Sequence, residues 1–192
     1  KAIAGVIASV LKTAVPFSVE TRQGPAQRAK VDFEALEKAK ITTRDLALKA
    51  GCDEATQDHG YPHFYYIDDQ PTGQGEWIAY DLKGARLRQY LHYVLSSDIP
   101  ALKPGESQPA RLITSQGEVE VGLTLVDKNH YRLAVPAVKA GLAAAWLRDL
   151  SDGYTAFDDD PTRRIPGPVT VIESSEKAVK PPTGETIDPL KP

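Results

Sequence analysis

The segment that most constrains the fold is "EVEVGLTLV", residues 118–126. Its apolar side chains recur at every second position: Val119, Val121, Leu123 and Leu125. Successive side chains of a β-strand point to opposite faces, so this spacing predicts a strand with one buried and one solvated face. A strand of this kind needs a covering layer for its apolar face.

Two further strands are predicted beside this segment. "RLITS" precedes it across Gln116 and Gly117, and "HYRLAV" follows it across Asp127, Lys128 and Asn129. Both connections contain residues that favour tight turns. We therefore predict an antiparallel three-stranded meander centred on residues 110–135.

Helices are predicted where apolar residues follow the 3.6-residue period, over residues 2–14, 33–50, 83–95 and 137–151. Asp32 is placed to cap the second helix. Pro136 suits the first turn of the fourth helix, and Gly153 lies beyond its end as a stop signal. Helices combined with an antiparallel sheet predict an α+β fold, in which the fourth helix covers the apolar face of the sheet.

Shorter strands are predicted at "FSVETRQ", "HFYYI" and "EWIAY". A polar loop with Gly24 and Pro25 is expected after the first of them.

The composition of the chain changes near Phe157. Seven of the fifteen prolines lie within the last 36 residues, where only "VTVIE" predicts a strand. A segment with so few apolar residues cannot build its own core. We therefore predict one α+β domain over residues 1–156 and an extended arm over residues 157–192.

The first predicted helix carries an apolar stripe made by Ile3, Val6, Ile7, Val10 and Leu11. Its other side holds small residues and almost no charge, whereas a membrane-surface helix needs a strongly charged face. Small residues let another backbone approach closely. The pattern favours a helix packed on two sides, either in the core or at a subunit contact.

The charge, the hydropathy and the cysteine content of the chain bear on its function class and its compartment. The formal net charge is −3, which gives no overall electrostatic reason to bind nucleic acid. No segment approaches the ~20 apolar residues of a membrane span, so we expect a soluble chain. The single cysteine, Cys52, excludes an intrachain disulfide and leaves the compartment open. A removed signal peptide would also be invisible.

One segment offers a nucleic-acid alternative. In "TTRDLALKAGCDEATQ", the positions that match a known register are Ala47, Gly51, Cys52 and Thr56. The segment resembles the helix-turn-helix of lactose-repressor-type and mercury-resistance-type regulators, which implies DNA binding by residues 41–60. Gln57 and Gly60 stand where the second helix needs apolar residues, and its reading face carries acidic residues that repel phosphate.

A metal-dependent enzyme is a third hypothesis. Suitable ligand types gather at Cys52, His59, His63, Asp68 and Asp69. Gly60 and Pro62, however, break the helix that would place both histidines on one face. No glycine-rich phosphate loop or serine-nucleophile motif is present. No cofactor or metal is therefore predicted, and a non-enzymatic role is favoured.

The hypothesis that fits these observations best is a structural or assembly subunit, of a virus particle or another multi-subunit machine. Its contacts are predicted on the N-terminal helix and on the arm. A proline-rich arm loses little conformational entropy when it is pinned, and its strand can add to the edge of a sheet. The predicted arm contacts are Arg163, Arg164, Val169, Val171 and Ile172. An arm folded over its own domain is the alternative.

Overall fold

The computed structural model describes residues 1–52, 67, 75–96, 99 and 102–178. In chain order its elements are α1 (Ala2–Leu11), β1 (Val15–Thr21), β2 (Gly24–Lys30), α2 (Phe33–Lys49), β3 (Trp77–Lys83), α3 (Leu87–Val94), β4 (Ser107–Thr114), β5 (Gly117–Asp127), β6 (His130–Pro136), α4 (Ala140–Asp152) and β7 (Thr170–Glu173). Helices together with antiparallel sheets confirm the predicted α+β fold.

The main sheet has five strands in the order β4-β5-β6-β3-β7, with every neighbouring pair antiparallel. Its first three strands are the predicted meander. The register places Leu112 opposite Val119 and Leu123 opposite Leu133, so apolar side chains face one another across the strands. β3 then pairs with the far side of β6, which the meander alone did not predict.

One hydrophobic core lies between this sheet and the helices. The fourth predicted helix provides most of its cover, because nearly every residue of α4 from Ala140 to Leu150 is buried. The hydroxyls of the buried Tyr80 and Tyr90 donate to backbone carbonyls of α4, at 3.2 and 2.6 Å. The indole N–H of Trp146 donates to the Ile113 carbonyl at 2.7 Å. Each large aromatic side chain therefore fixes the spacing of two layers as well as filling volume.

The expected polar loop at Gly24 and Pro25 is wrong, because these residues begin β2. β1 and β2 form a separate two-stranded ribbon in which Glu20 lies opposite Pro25. Both strands of such a ribbon are edge strands, where a proline without an N–H is tolerated. β2 is mostly exposed and carries only small or polar residues, so it shows no alternating apolar pattern that would reveal it.

Helix boundaries differ from the predictions for local reasons. The third helix begins at Leu87 and not at residue 83, because β3 continues in the sheet as far as Lys83. Residues Ala137–Lys139 form a 3-10 turn before α4, and this turn leaves Val138 90% exposed. Gly153 ends α4 with a left-handed φ of 79°, as expected of a terminating glycine.

The arm prediction needs correction over its described part. β7 adds to β3 of the same domain, from Tyr80 opposite Glu173 to Lys83 opposite Thr170. Val169 and Val171 are buried in the domain's own core and are not available to a partner. The predicted strand does join the edge of a sheet, but that edge is β3 of the same chain and not a partner's strand.

Close backbone contacts hold this segment in place. The Val169 amide donates to the Ser151 hydroxyl at 2.7 Å, and that hydroxyl contacts the Val169 carbonyl at 3.0 Å. A Cβ atom at Gly84 would lie 2.8 Å from the Pro168 carbonyl oxygen, and one at Gly167 would lie 2.7 Å from that of Ser151. Neither glycine can gain a side chain unless the backbone moves.

Neighbouring residues of β7 provide a direct test of this packing. Val171 is 0% exposed and Ile172 is 38% exposed. We expect Val171→Ala to lower the free energy of unfolding by about 2 kcal/mol, since it removes buried methyl groups and leaves a cavity. Ile172→Ala should change it by less than about 0.5 kcal/mol. Urea denaturation of both variants measures the difference, and equal stabilities would contradict the packing of β7 against its own core.

Candidate functional site

The outer face of α1 is the most exposed apolar surface among the predicted contacts. α1 packs against α2, and its half-buried side chains include Val6 and Val10. Ile3, Ile7 and Leu11 point away and are 70%, 55% and 66% exposed. The structure therefore splits the predicted stripe into an inner pair and an outer row. We call the outer row of Ile3, Ile7 and Leu11 the α1 ridge.

No other part of the described chain covers the α1 ridge. None of the residues of α1 is buried, so packing within the core is excluded as the role of this helix in the described chain. α1 has ten residues, and none of the described helices is long and apolar enough to cross a bilayer. A subunit contact stays a prediction for the α1 ridge.

The predicted arm contacts are divided between the core and the surface. Arg163 lies outside the core, where its Nε is 2.9 Å from Asp158 Oδ2. The Arg163 carbonyl accepts a hydrogen bond from Lys30 Nζ at 2.5 Å. Burial lowers the pKa of Lys30, and Asp158 and Asp160 oppose that shift. Arg164 and Ile172 are exposed, so these two remain available for contacts.

A buried polar cluster joins α2 to α4. Lys40 Nζ lies 2.5 Å from Glu37 Oε1 and 2.6 Å from Asp149 Oδ1, and both carboxylates are almost fully buried. The second oxygen of Glu37 accepts the Ile67 amide at 2.9 Å. Asp149 Oδ2 is buried without a hydrogen-bond partner among the described residues. Among the described residues, Lys40 thus lies between two buried carboxylates.

Burial within this cluster changes the acidity of Asp149. Burial raises the pKa of Asp149 to about 7; Lys40 opposes the shift and Glu37 adds to it. A carboxyl with such a pKa can exchange a proton near neutrality. Perturbed acidity also occurs in structural ion-pair networks, and this cluster ties two helices together across the core.

A second polar cluster lies on β3 and β6, where Asp81 is opposite Arg132 in the register. Arg132 Nε donates to Asp81 Oδ1 at 2.8 Å, and the same guanidinium binds Glu176 after β7. His130 Nε2 lies 3.0 Å from the same oxygen, Asp81 Oδ1. Burial would raise the pKa of Asp81, but Arg132 and His130 outweigh it and lower that pKa.

The two alternative sites fall largely outside the described residues. Residues 53–66 hold the second helix of the helix-turn-helix hypothesis, both histidines of the metal hypothesis and most of the predicted strand "HFYYI". The first half of the helix-turn-helix is described. It forms the last turns of α2, which ends before Gly51 with its φ of 79°. Cys52 is exposed, and its amide donates to the Ala47 carbonyl at 2.9 Å.

Sequence reasoning missed both polar clusters. The spacing of Glu37 and Lys40, three residues apart on a helix, is the only signal that could have indicated part of one cluster. Asp149 lies 109 residues beyond Lys40, and no local pattern predicts that contact. The same holds for Asp81 and Arg132, which meet only through the strand register.

The acidity of Asp149 predicts a pH dependence of stability. Its pKa rises on folding from 3.8 to about 7, so folding takes up a proton between those values. The stability that protonated Asp149 contributes is fully present below pH 3.8 and is lost as the pH rises through about 7. Asp149→Asn stays neutral and avoids the loss. We expect the free energy of unfolding of this variant, relative to the unmodified protein, to rise by on the order of 1 to 4 kcal/mol between pH 4 and pH 8.

Urea denaturation across this pH range measures the effect. Asp152→Asn is the matched control, because Asp152 forms a surface pair with Arg148 at 3.3 Å. It should show a constant difference from the unmodified protein. Parallel pH profiles for Asp149→Asn and the unmodified protein would contradict a raised pKa at Asp149.

Comparison with known proteins does not identify a function for these surfaces. No protein-family model matches the chain. Among solved structures, the chain is similar to the glycine cleavage system aminomethyltransferase T from Bartonella henselae, with 21% sequence identity and a TM-score of 0.40. The similarity covers 52% of this chain and 24% of that one, so the chain spans about a quarter of that protein's length. A TM-score of this size does not establish a shared fold, and function is inferred from the chain's own surfaces.

Proposed function

We propose that this chain is a non-enzymatic structural subunit that assembles through α1, with the α1 helix of a second copy as its partner. The observation that carries this proposal is the α1 ridge, where Ile3, Ile7 and Leu11 remain largely exposed on a folded domain. Burying a large aliphatic side chain contributes about 1.5–3 kcal/mol. A row of three such side chains therefore supplies a substantial driving force for association.

The residue spacing on α1 supports pairing with another copy. Ile3, Ile7 and Leu11 follow one another at intervals of four, which makes a ridge along the helix. Ala4 and Ala8 follow the same interval beside it, and a Cβ built on Gly5 would meet nothing within 4 Å. Large side chains therefore lie next to a row of small ones. A surface that offers both a ridge and a groove is complementary to itself, as a two-fold symmetric interface requires.

The charge of α1 also favours a protein partner. Between Lys1 and Lys12 the helix has no charged residue. The buried centres of protein interfaces are depleted in charge, whereas helices that lie on membranes carry Lys and Arg along one face. The lack of charge on every side of α1 therefore supports helix pairing over membrane adsorption.

The surface strand β7 supports a second, smaller contact. β7 ends the strand order of the main sheet, so its outer edge lacks a strand partner among the described residues. Ile172 is exposed on this strand, and Arg164 is exposed shortly before it. We assign the surface part of the predicted arm contacts to this edge. Val169 and Val171 play no part in it, because they are buried in the domain.

Sedimentation equilibrium tests the assembly proposal on the whole chain. We expect the unmodified protein to form a dimer with a dissociation constant in the micromolar range, since a ten-residue helix offers a small interface. Ile7→Lys should weaken the dimer by about tenfold or more, because it places a charge within the contact. Val138→Lys is the matched control. Val138 is also exposed and apolar but lies in the turn before α4.

Three results would contradict the proposal. A monomeric protein at about 100 μM excludes pairing strong enough for assembly. An equal loss of association in Ile7→Lys and Val138→Lys shows that α1 has no special role. Flotation of the protein with phosphatidylcholine and phosphatidylglycerol vesicles, lost in Ile7→Lys, identifies a lipid surface as the occupant of the α1 ridge.

A further inference from the structure

A cleft of about 650 Å³ lies between α3, the β5–β6 turn and the segment before β4. Its volume is within the range that small-molecule sites occupy. The cleft lies apart from the α1 ridge and from the two polar clusters, because none of their residues line it. It is therefore a separate feature of the surface.

The floor of the cleft is apolar. Leu125 and Tyr131 line it and lie directly opposite each other on β5 and β6. Leu102 lines it as well and packs against the core. Because Leu125 and Tyr131 are also core residues, the floor is a rigid part of the sheet. An apolar or aromatic group placed here would be removed from water against a preformed surface.

The rim of the cleft is cationic. Arg86, Arg88 and Lys128 line it, and no carboxylate is among the residues that line it in the described chain. α3 buries Leu87 and Leu91 on its other side, so its amphipathic pattern fixes Arg88 towards the exposed side. The chain as a whole has a formal net charge of −3. The rim of the cleft is therefore positive on a protein whose net charge is negative.

These cations form no ion pair with a carboxylate within the described residues. Arg86 and Lys128 form no ion pair there, in contrast to Arg132, which binds two carboxylates. Arg88 donates one long hydrogen bond, at 3.4 Å, to the Ile99 carbonyl. Most of its five N–H donors remain available for a ligand. Grouped cations without carboxylate partners attract anions to a concave surface.

Backbone hydrogen bonds fix the walls of the cleft relative to one another. The Gly84 amide, just before α3, donates to the Asn129 carbonyl in the β5–β6 turn at 3.1 Å. The Asn129 amide donates to Asp127 Oδ1 at 3.0 Å, which fixes the turn. On the third side, the Leu125 amide donates to the Glu106 carbonyl at 3.1 Å. Arg88 and Lys128 therefore lie on segments whose relative position is fixed by hydrogen bonds.

We propose that this cleft binds a small organic phosphate, a molecule with a phosphate group and an apolar or aromatic body. The guanidinium of Arg88 and the ammonium of Lys128 bind the phosphate oxygens, and Arg86 adds to the local positive potential. Guanidinium groups suit phosphate because their planar donors match two of its oxygens. The apolar body packs on Leu125 and Tyr131. This site is independent of assembly through α1.

Isothermal titration calorimetry on the full chain tests the site with phenyl phosphate, inorganic phosphate and phenol. We expect phenyl phosphate to bind, inorganic phosphate to bind about tenfold more weakly because it lacks the apolar body, and phenol to bind weakest of the three. Arg88→Gln and Lys128→Gln should each weaken phenyl phosphate about tenfold, since each removes a charge-assisted contact. Arg22→Gln is the matched control, because Arg22 is an exposed arginine in the turn between β1 and β2, outside the cleft.

Both Arg88 and Lys128 are exposed, so we expect their glutamine variants to fold, and circular dichroism of each variant checks this. The absence of phenyl phosphate binding to the unmodified protein overturns the proposal. Equal affinities of Arg88→Gln, Lys128→Gln and Arg22→Gln for phenyl phosphate overturn it too. Binding of a random-sequence DNA duplex that Arg88→Gln abolishes, without binding of phenyl phosphate, would assign the cations to a nucleic acid instead.

Discussion

β3 must be paired along both of its edges, and the rest of the domain depends on the pairing of the edge that β6 does not cover. β3 carries Tyr80 and Leu82 into the centre of the core, yet β6 satisfies only one of its two edges. An unpaired strand edge at the centre of a domain would leave backbone donors and acceptors without partners. β7 occupies that edge, and the Ser174 amide extends the pairing to the Ala79 carbonyl at 2.8 Å. The same segment is joined to α4, because the Val169 amide just before β7 donates to the Ser151 hydroxyl on α4.

The sequence predicts the parts of this fold that repeat locally, and it does not predict the contacts between distant parts. The period of two along β5 and the cap at Asp32 are local signals, and the structure confirms both: the Ala35 amide donates to Asp32 Oδ1 at 2.8 Å. β2 lacks such a signal because both faces of the ribbon are mostly exposed. The strand in the C-terminal segment was predictable, whereas the chain that supplies its partner edge was not. The apolar spacing of α1 was equally visible, but only packing against α2 shows which side chains face outwards.

The polar interior and the cleft illustrate two different uses of charge. In the cluster of Glu37, Lys40 and Asp149, burial makes every uncompensated charge expensive, so the pKa of Asp149 rises to about 7. At the cleft, Arg88 and Lys128 are exposed to solvent. The first arrangement specifies how α2 meets α4, and the second leaves cations available to molecules outside the chain. Sequence alone could not separate these uses, because lysine occurs in both and only its depth in the fold differs.

The placement of β7 also affects how the chain folds as it leaves the ribosome. β3 is synthesised before the meander and α4, but its final strand partner begins only at Thr170. During the intervening elongation the nascent chain can form the meander and cover it with α4, while one edge of β3 stays open. An open edge on a translating chain is a site where neighbouring nascent chains on the same message can pair wrongly. Completion of the sheet is thus linked to the synthesis of β7, and cellular folding factors have the most to protect in the interval before β7 emerges.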